Sequence, residues 1–226
     1  MRRPDAGRRR AERAATYSII GRSGRLSYLF GQLCARLPGL SYTRHLLVMV
    51  PAAGLPAMPR GYSARAVPPA ELAGHSIDAD TAVQAERFAA GMLCLGLFDR
   101  QDALLGVIWL ARDRHDESLL GVRLRLPENS AWDGGLWIDE QRRASRAFPA
   151  LWAGVRQWLE GEGLQATVSS IADYNAASIA AHRRLGARTI GQVAVLRIGA
   201  WQCTLSGRLP TRLSFRRWPE IRIAGA

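Results

Sequence analysis

Asp173-Tyr174-Asn175-Ala176-Ala177-Ser178-Ile179-Ala180-Ala181-His182-Arg183-Arg184-Leu185-Gly186-Ala187 reads as an Asn, a small residue three positions on, a short helix, and a Leu-Gly pair that closes it. The run before it, Ala166-Thr167-Val168-Ser169-Ser170-Ile171, has strand character. A strand, a turn and an Asn-led helix therefore follow one another.

Working upstream, Phe148, Leu151, Trp152, Val155 and Leu159 recur at three-to-four spacing, and Gly161-Glu162-Gly163 stops the run. This predicts a helix over 144–160, with Pro149 tolerated only in its first turn. Ahead of it stands Arg142-Arg143-Ala144-Ser145-Arg146-Ala147, preceded by a strand-like Ala131 to Ile138. Successive backbone N–H groups at a helix start, ringed by arginine, suit an anion such as a pyrophosphate. The bland reading is a solvated basic face. No HExxH, Walker, GxSxG or metal-ligand pattern competes, and His45, His75, His115 and His182 are scattered.

The order strand, phosphate-type turn, helix, strand, Asn-led helix resembles the acyl-CoA-binding half of the GNAT superfamily of N-acyltransferases, over residues 131–191. The resemblance implies an α/β fold with a mixed, mostly antiparallel sheet flanked by helices and splayed central strands. It also implies transfer of an acetyl or other acyl group to a primary amine, by direct attack in a ternary complex. Acetyl-CoA would be the acyl-donor cosubstrate, and no metal is called for. The family's loop, Q/R-x-x-G-x-G/A, would be Arg142, Arg143, Ala144, Ser145, Arg146 and Ala147. Ser145 departs from it, standing where the family prefers Gly; its hydroxyl could donate to a phosphate, but Ser resists positive φ.

By the same resemblance, Leu136, Trp137 and Ile138 form the strand edge that pairs with the pantetheine arm, with Val168-Ser169-Ser170 on the neighbouring strand. Asn175 and the helix after it, Ser178 included, hold the pantetheine end. His182 lies seven residues after Asn175, where the family commonly places a Tyr that protonates the leaving thiolate. An imidazole can do that work, or it can be an ordinary helix residue. The base that neutralises the amine would be Asp133, early on the strand that leads to the loop, with Glu128 and Glu117 behind it. The other function class is a non-catalytic module of this fold, docking an anionic partner or membrane through its basic ends.

Charge sets those ends apart. All 31 basic residues are Arg. Residues 1–60 hold 11 Arg against 2 acids, 61–196 hold 14 against 16, and 197–226 hold 6 against 1. Such arms attract anionic lipid, nucleic acid or acidic polymer, though no specific nucleic acid is indicated, and they also read simply as solvated tails. Four segments are expected: a basic flexible arm over 1–25, a helix/strand extension and linker over 26–59, the acyltransferase domain over 60–206, and a basic tail over 207–226. Within the extension, Leu26, Leu29, Phe30, Leu33 and Leu37 share a helical face. That face either covers the domain's own core, the reading taken here, or lies on a membrane surface. Tyr42 to Val50 reads as a strand, and Ala52 to Gly61 as a Pro/Gly linker.

Tyr62 to Val67 reads as a strand, Pro68 to Leu72 and Asp80 to Ala90 as helices, and 92–98 with 103–110 as a hairpin. Leu119 to Leu126, Gln192 to Ile198 and Trp201 to Leu205 are further strand candidates. Cys34, Cys94 and Cys203 form no CxxC, so a reducing compartment fits. The chain is read as soluble and cytoplasmic, or peripheral at a membrane; no apolar stretch is long enough to span one.

Overall fold

A computed structural model describes residues 21–142, 145–207 and 212–224. Most of the basic N-terminal arm, Arg143 and Ala144 of the loop, and Arg208 lie outside the described residues. The chain divides into two compact units. One holds the described residues up to Val48, with Asp116–Arg123 and Ser170–Ile221; the other holds Met49–His115, Leu124–Ser169 and the residues from Arg222 on. None of the five breaks between them falls at residue 60, where the sequence changes from linker to domain pattern.

The second unit carries β2 (Tyr62–Ala66), α2 (Pro69–Leu72), α3 (Thr81–Ala89), β3 (Leu93–Asp99), β4 (Leu104–Arg112), β7 (Ser130–Ile138), α4 (Ala147–Gly161) and the start of β8 (Ala166–Ala172). Its strands lie in the order β8-β7-β4-β3-β2. Every pairing is antiparallel except β7 with β8, which is parallel. This is the mixed, mostly antiparallel sheet expected from the sequence.

Local chemistry explains the elements. Asp99 turns the β3–β4 hairpin by accepting from the N–H groups of Gln101 and Ala103 at 2.9 and 3.1 Å. Asp80 caps α3 by accepting from Val83 N–H at 2.8 Å. Pro149 falls in the first turn of α4, where its missing N–H leaves no bond unmade. The buried stripe of α4, with Ala150, Leu151, Val155 and Leu159, covers β2, β3 and β4. A Cβ on Gly154 would stand 2.4 Å from the Ala64 Cβ, so only glycine permits that approach.

The first unit carries α1 (residues 21–34), most of β1 (Leu40–Pro51), the end of β8, α5 (Ala176–Arg184), β9 (Arg188–Ile198), β10 (Trp201–Leu205) and β11 (Arg212–Phe215). The strand order is β11-β10-β9-β1. Ile179 of α5 packs with Val48 and Ile171, against Leu46 and Ala187. Three short strands remain: β5 (Arg114–Glu117), β6 (Val122–Arg125) and β12 (Glu220–Arg222). β5 has no sequence signal, because Arg-His-Asp-Glu carries no apolar alternation. β11 and β12 lie within the segment that reads as a basic tail.

α1 departs from the role expected of it, that of covering the domain's own core. The apolar face of α1 does not cover a core: Leu26, Leu29, Phe30 and Leu33 are all exposed, as is Leu37 beyond the helix end. The helix instead buries Gly24, Ser27 and Cys34. The reason is steric. At Gly31 a Cβ would sit 3.1 Å from the Tyr42 carbonyl oxygen, so α1 approaches β1 through its small residues and its large ones are turned outward.

Candidate functional site

In the second unit, β7 and β8 pair only at their starts. The register is Ser130 with Ala166, Ala131 with Thr167 and Trp132 with Val168. β7 then runs on to Ile138, paired along its other edge to β4 as far as Gly106. The β7–β8 register ends at Trp132, six residues before the end of β7. This is the splay expected of the central strands.

β7 also bulges there. Val107 pairs Trp137 and Trp109 pairs Gly134, so three steps of β7 oppose two of β4. Gly135 lies in the bulge with φ +56°, and a Cβ on it would fall 2.5 to 2.8 Å from the Arg87 guanidinium. Arg87 in turn lies over the Trp109 ring, 5.2 Å from its centroid. Sequence reasoning passed over this feature. The signal was present, because a Gly-Gly pair inside a strand pattern marks a bulge.

Asp133 sits just before the bulge, opposite Leu110, and is 3% exposed. Leu136 and Trp137 are half-buried and Ile138 is buried. Burial pushes the Cys94 thiol up to about 12, which keeps it protonated and unsuited to nucleophilic attack.

The loop after β7 closes on itself before α4 begins. Arg142 N–H donates to Asp139 C=O, and Ser145 N–H to Arg142 C=O, each at 2.9 Å. The Ser145 hydroxyl donates to Arg142 C=O at 2.6 Å and accepts from Ala147 N–H at 3.1 Å. That hydroxyl, expected as a phosphate donor, is therefore committed inside the loop, and it occupies one amide of the helix start. Arg142 and Arg146 are both exposed at the N-terminus of a 15-residue helix. Their charge and the helix dipole together favour an anion at this end of α4.

In the first unit, Asn175 is the N-cap of α5, and its Oδ1 accepts from Ser178 N–H at 3.1 Å. His182 lies on the same helix, with Nδ1 2.8 Å from the Ser178 carbonyl oxygen. A carbonyl only accepts, so Nδ1 carries the proton, and in the neutral ring Nε2 holds the lone pair. As an acid, His182 would have to act in its doubly protonated form.

The same unit holds a buried relay that sequence reasoning did not assemble. Ser170 Oγ donates to Glu117 Oε2 at 2.8 Å, and His45 Nδ1 lies 3.2 Å from Ser170 Oγ. The serine has one proton and gives it to the carboxylate, so His45 is the donor in its own bond. This polarity runs opposite to that of a nucleophilic triad, where the imidazole takes the serine proton. Burial pushes His45 down to about 4, so it is neutral near pH 7. His45 and Ser170 are separated by 125 positions, and their pairing has no sequence signature. Among the described residues, no three His, Cys, Asp or Glu side chains converge as a metal would require.

No family model matches the chain, and no curated protein matches it. Solved structures do. The chain is similar to a GCN5-related N-acetyltransferase from Kribbella flavida at 16% identity and TM-score 0.43, over 71% of this chain and 60% of that one. It is similar to a GCN5-related N-acetyltransferase from Sphaerobacter thermophilus at 14% identity and TM-score 0.45, over 74% of this chain and 54% of that one. A third is yncA, a putative acetyltransferase from Salmonella typhimurium with its cofactor acetyl-CoA, at 16% identity and TM-score 0.37, over 69% and 92%. The chain thus spans under two thirds of the length of the first two.

Proposed function

We propose that this protein is a GNAT-type N-acyltransferase that moves an acetyl or other acyl group from acyl-CoA to a primary amine. The observation that carries the reading is the splayed, bulged β7 leading into an arginine-flanked helix start. A strand that diverges from its neighbour leaves room beside it for an extended amide-bearing ligand to pair with peptide N–H and C=O groups. The pantetheine arm of CoA is such a ligand. In this reading it lies along Leu136, Trp137 and Ile138, and its phosphates meet the segment from Arg142 to Ala147. Arg142, Arg143 and Arg146 supply the cations. Asn175 and Ser178 shape the start of α5.

The amine nitrogen must be neutral to attack. Asp133 is the proposed base, its carboxylate accepting the ammonium proton directly or through water. The neutral nitrogen then adds to the thioester carbonyl; as it gives up a second proton to solvent the C–S bond breaks, and the amide forms with CoA leaving as a thiolate. His182, as imidazolium, is the proposed donor of the proton that turns the thiolate into the thiol. No cysteine intermediate is needed.

A second reading has one specific observation behind it. The Ser145 hydroxyl takes the Ala147 N–H, and Pro149 has no N–H to give. With these two amides withdrawn from the helix start, a module of this fold that binds CoA weakly and docks an anionic partner is the alternative. Incubation with acetyl-CoA and a panel of sugar amines, polyamines, amino acids and peptides, followed by release of free thiol, tests the first reading. Thiol release above the hydrolysis background with at least one amine is expected. Its absence, together with undetectable CoA binding by calorimetry, would leave the second.

A further inference from the structure

We infer that the first unit docks on an anionic lipid surface through one continuous apolar face made by α1 and by strands β9 to β11. α1 turns its large apolar residues outward. Leu26 is 67% exposed, Leu29 62% and Leu33 57%, while Gly24, Ser27 and Cys34 are buried. A helix that seats on its domain by glycine and serine has its leucine stripe left for something else.

The sheet presents a second apolar area on the same side. Arg197 and Gln202 point towards the segment 116–123: Arg197 donates to Leu119 C=O, and Gln202 Nε2 to Gly121 C=O. Side chains alternate along a strand, and directly paired residues share a side. Trp201 pairs with Ile198 on one side and Phe215 on the other, so all three face away from that segment, as does Leu213 opposite Cys203. Leu213 is 73% exposed, Ile198 60% and Trp201 59%.

α1 lies on this same side. His45 of β1 reaches Glu117 through Ser170, so Tyr42, one pleat over, faces the other way, and Phe30 of α1 packs edge-on to it with centroids 4.8 Å apart. The two areas are joined where Gly199 N–H donates to Gly39 C=O at 2.7 Å, tying the β9–β10 turn to the chain just beyond α1.

Charge selects the occupant. Residues 21–48 contain the exposed Arg22, Arg25 and Arg36, besides the Arg44 that pairs with Asp173, and no Asp or Glu. At the far edge stand Arg212, Arg216 and Arg217, all exposed, with Arg216 over the Phe215 ring. An apolar face rimmed by arginine fits the boundary between acyl chains and acidic headgroups. A second copy would bring one arginine rim against another, with few acids there to pair them.

The test uses the full chain and vesicles of phosphatidylcholine with or without one third phosphatidylglycerol. Cosedimentation with the acidic vesicles alone is expected. Leu29→Glu and Leu213→Glu, at exposed positions that leave the fold intact as read by circular dichroism, should each weaken it at least about tenfold. Three results would overturn the inference. These are no cosedimentation, binding unchanged by both substitutions (which assigns it to the arginine-rich ends alone), and a dimer in solution that both substitutions dissociate.

Discussion

Arg44 and Asp173 are joined twice: Asp173 N–H donates to Arg44 C=O at 3.1 Å, and Arg44 Nε donates to Asp173 Oδ2 at 2.7 Å. The pair ties β1 to the turn that opens α5, two residues ahead of the Asn175 cap. The Asp173 side chain is 2% exposed and that of Arg44 21%. Burial pushes the Asp173 carboxyl above its usual range, and the Arg44 guanidinium opposes that rise. Asp173→Ala should cost roughly 1.5 to 3 kcal/mol in urea unfolding, the worth of a hydrogen bond to a charged group. Asp173→Asn should cost less, since it fills the same space and buries no charge. Equal urea midpoints for wild type and Asp173→Ala would contradict the structural role.

The His45 relay makes stability depend on acid. The folded pKa, about 4, lies below the usual 6.5, so the unfolded chain takes up the proton first. The contribution of His45 is complete above pH 6.5 and is lost as pH falls towards 4. The shift corresponds to roughly 3 kcal/mol. Asp173 has the opposite sign, because its raised pKa favours the fold as pH falls through it. Subtracting the stability curve of His45→Asn from that of wild type isolates the imidazole, and a flat difference between pH 7 and 4 would refute the assignment.

At the β7 bulge, Gly135→Ala meets two penalties. Its φ of +56° is costly for a residue with a Cβ, and that Cβ would press on the Arg87 guanidinium. A loss of about 1 to 2 kcal/mol is expected from the backbone alone. If the bulge positions the acyl group, turnover should also fall at least about tenfold. Full activity in a destabilised variant would separate the bulge from the chemistry.

Arg142→Glu combined with Arg146→Glu reverses two charges at the start of α4. CoA should raise the thermal midpoint of wild type, because a ligand bound only by the folded state stabilises it. The double variant should lose that rise while keeping its own cooperative unfolding. An unchanged rise would remove this helix start from the CoA site.

His182→Phe tests the proposed acid. Turnover should drop roughly 100-fold with little change in CoA affinity. A turnover within severalfold of wild type, accompanied by lower stability, would assign His182 to the packing of α5.

Periodicity alone carried much of the fold. The 3.6-residue stripe of α4, the Asp80 cap of α3, the polar turn of the β3–β4 hairpin and the Asn-led α5 were all legible, because each is written in neighbours a few positions apart. The splay was expected only through the resemblance to the GNAT superfamily. What tertiary structure decided lies in long separations. An apolar stripe on α1 looks the same in sequence whether it faces core or solvent. Only the approach allowed by Gly31 over Tyr42 shows that the small face is the one buried. The commitment of the Ser145 hydroxyl to its own loop, the seat of Arg87 on the β7 bulge and the His45–Ser170–Glu117 relay are likewise contacts in space. The last two join residues tens of positions apart, and no local pattern encodes which residues a folded sheet brings together.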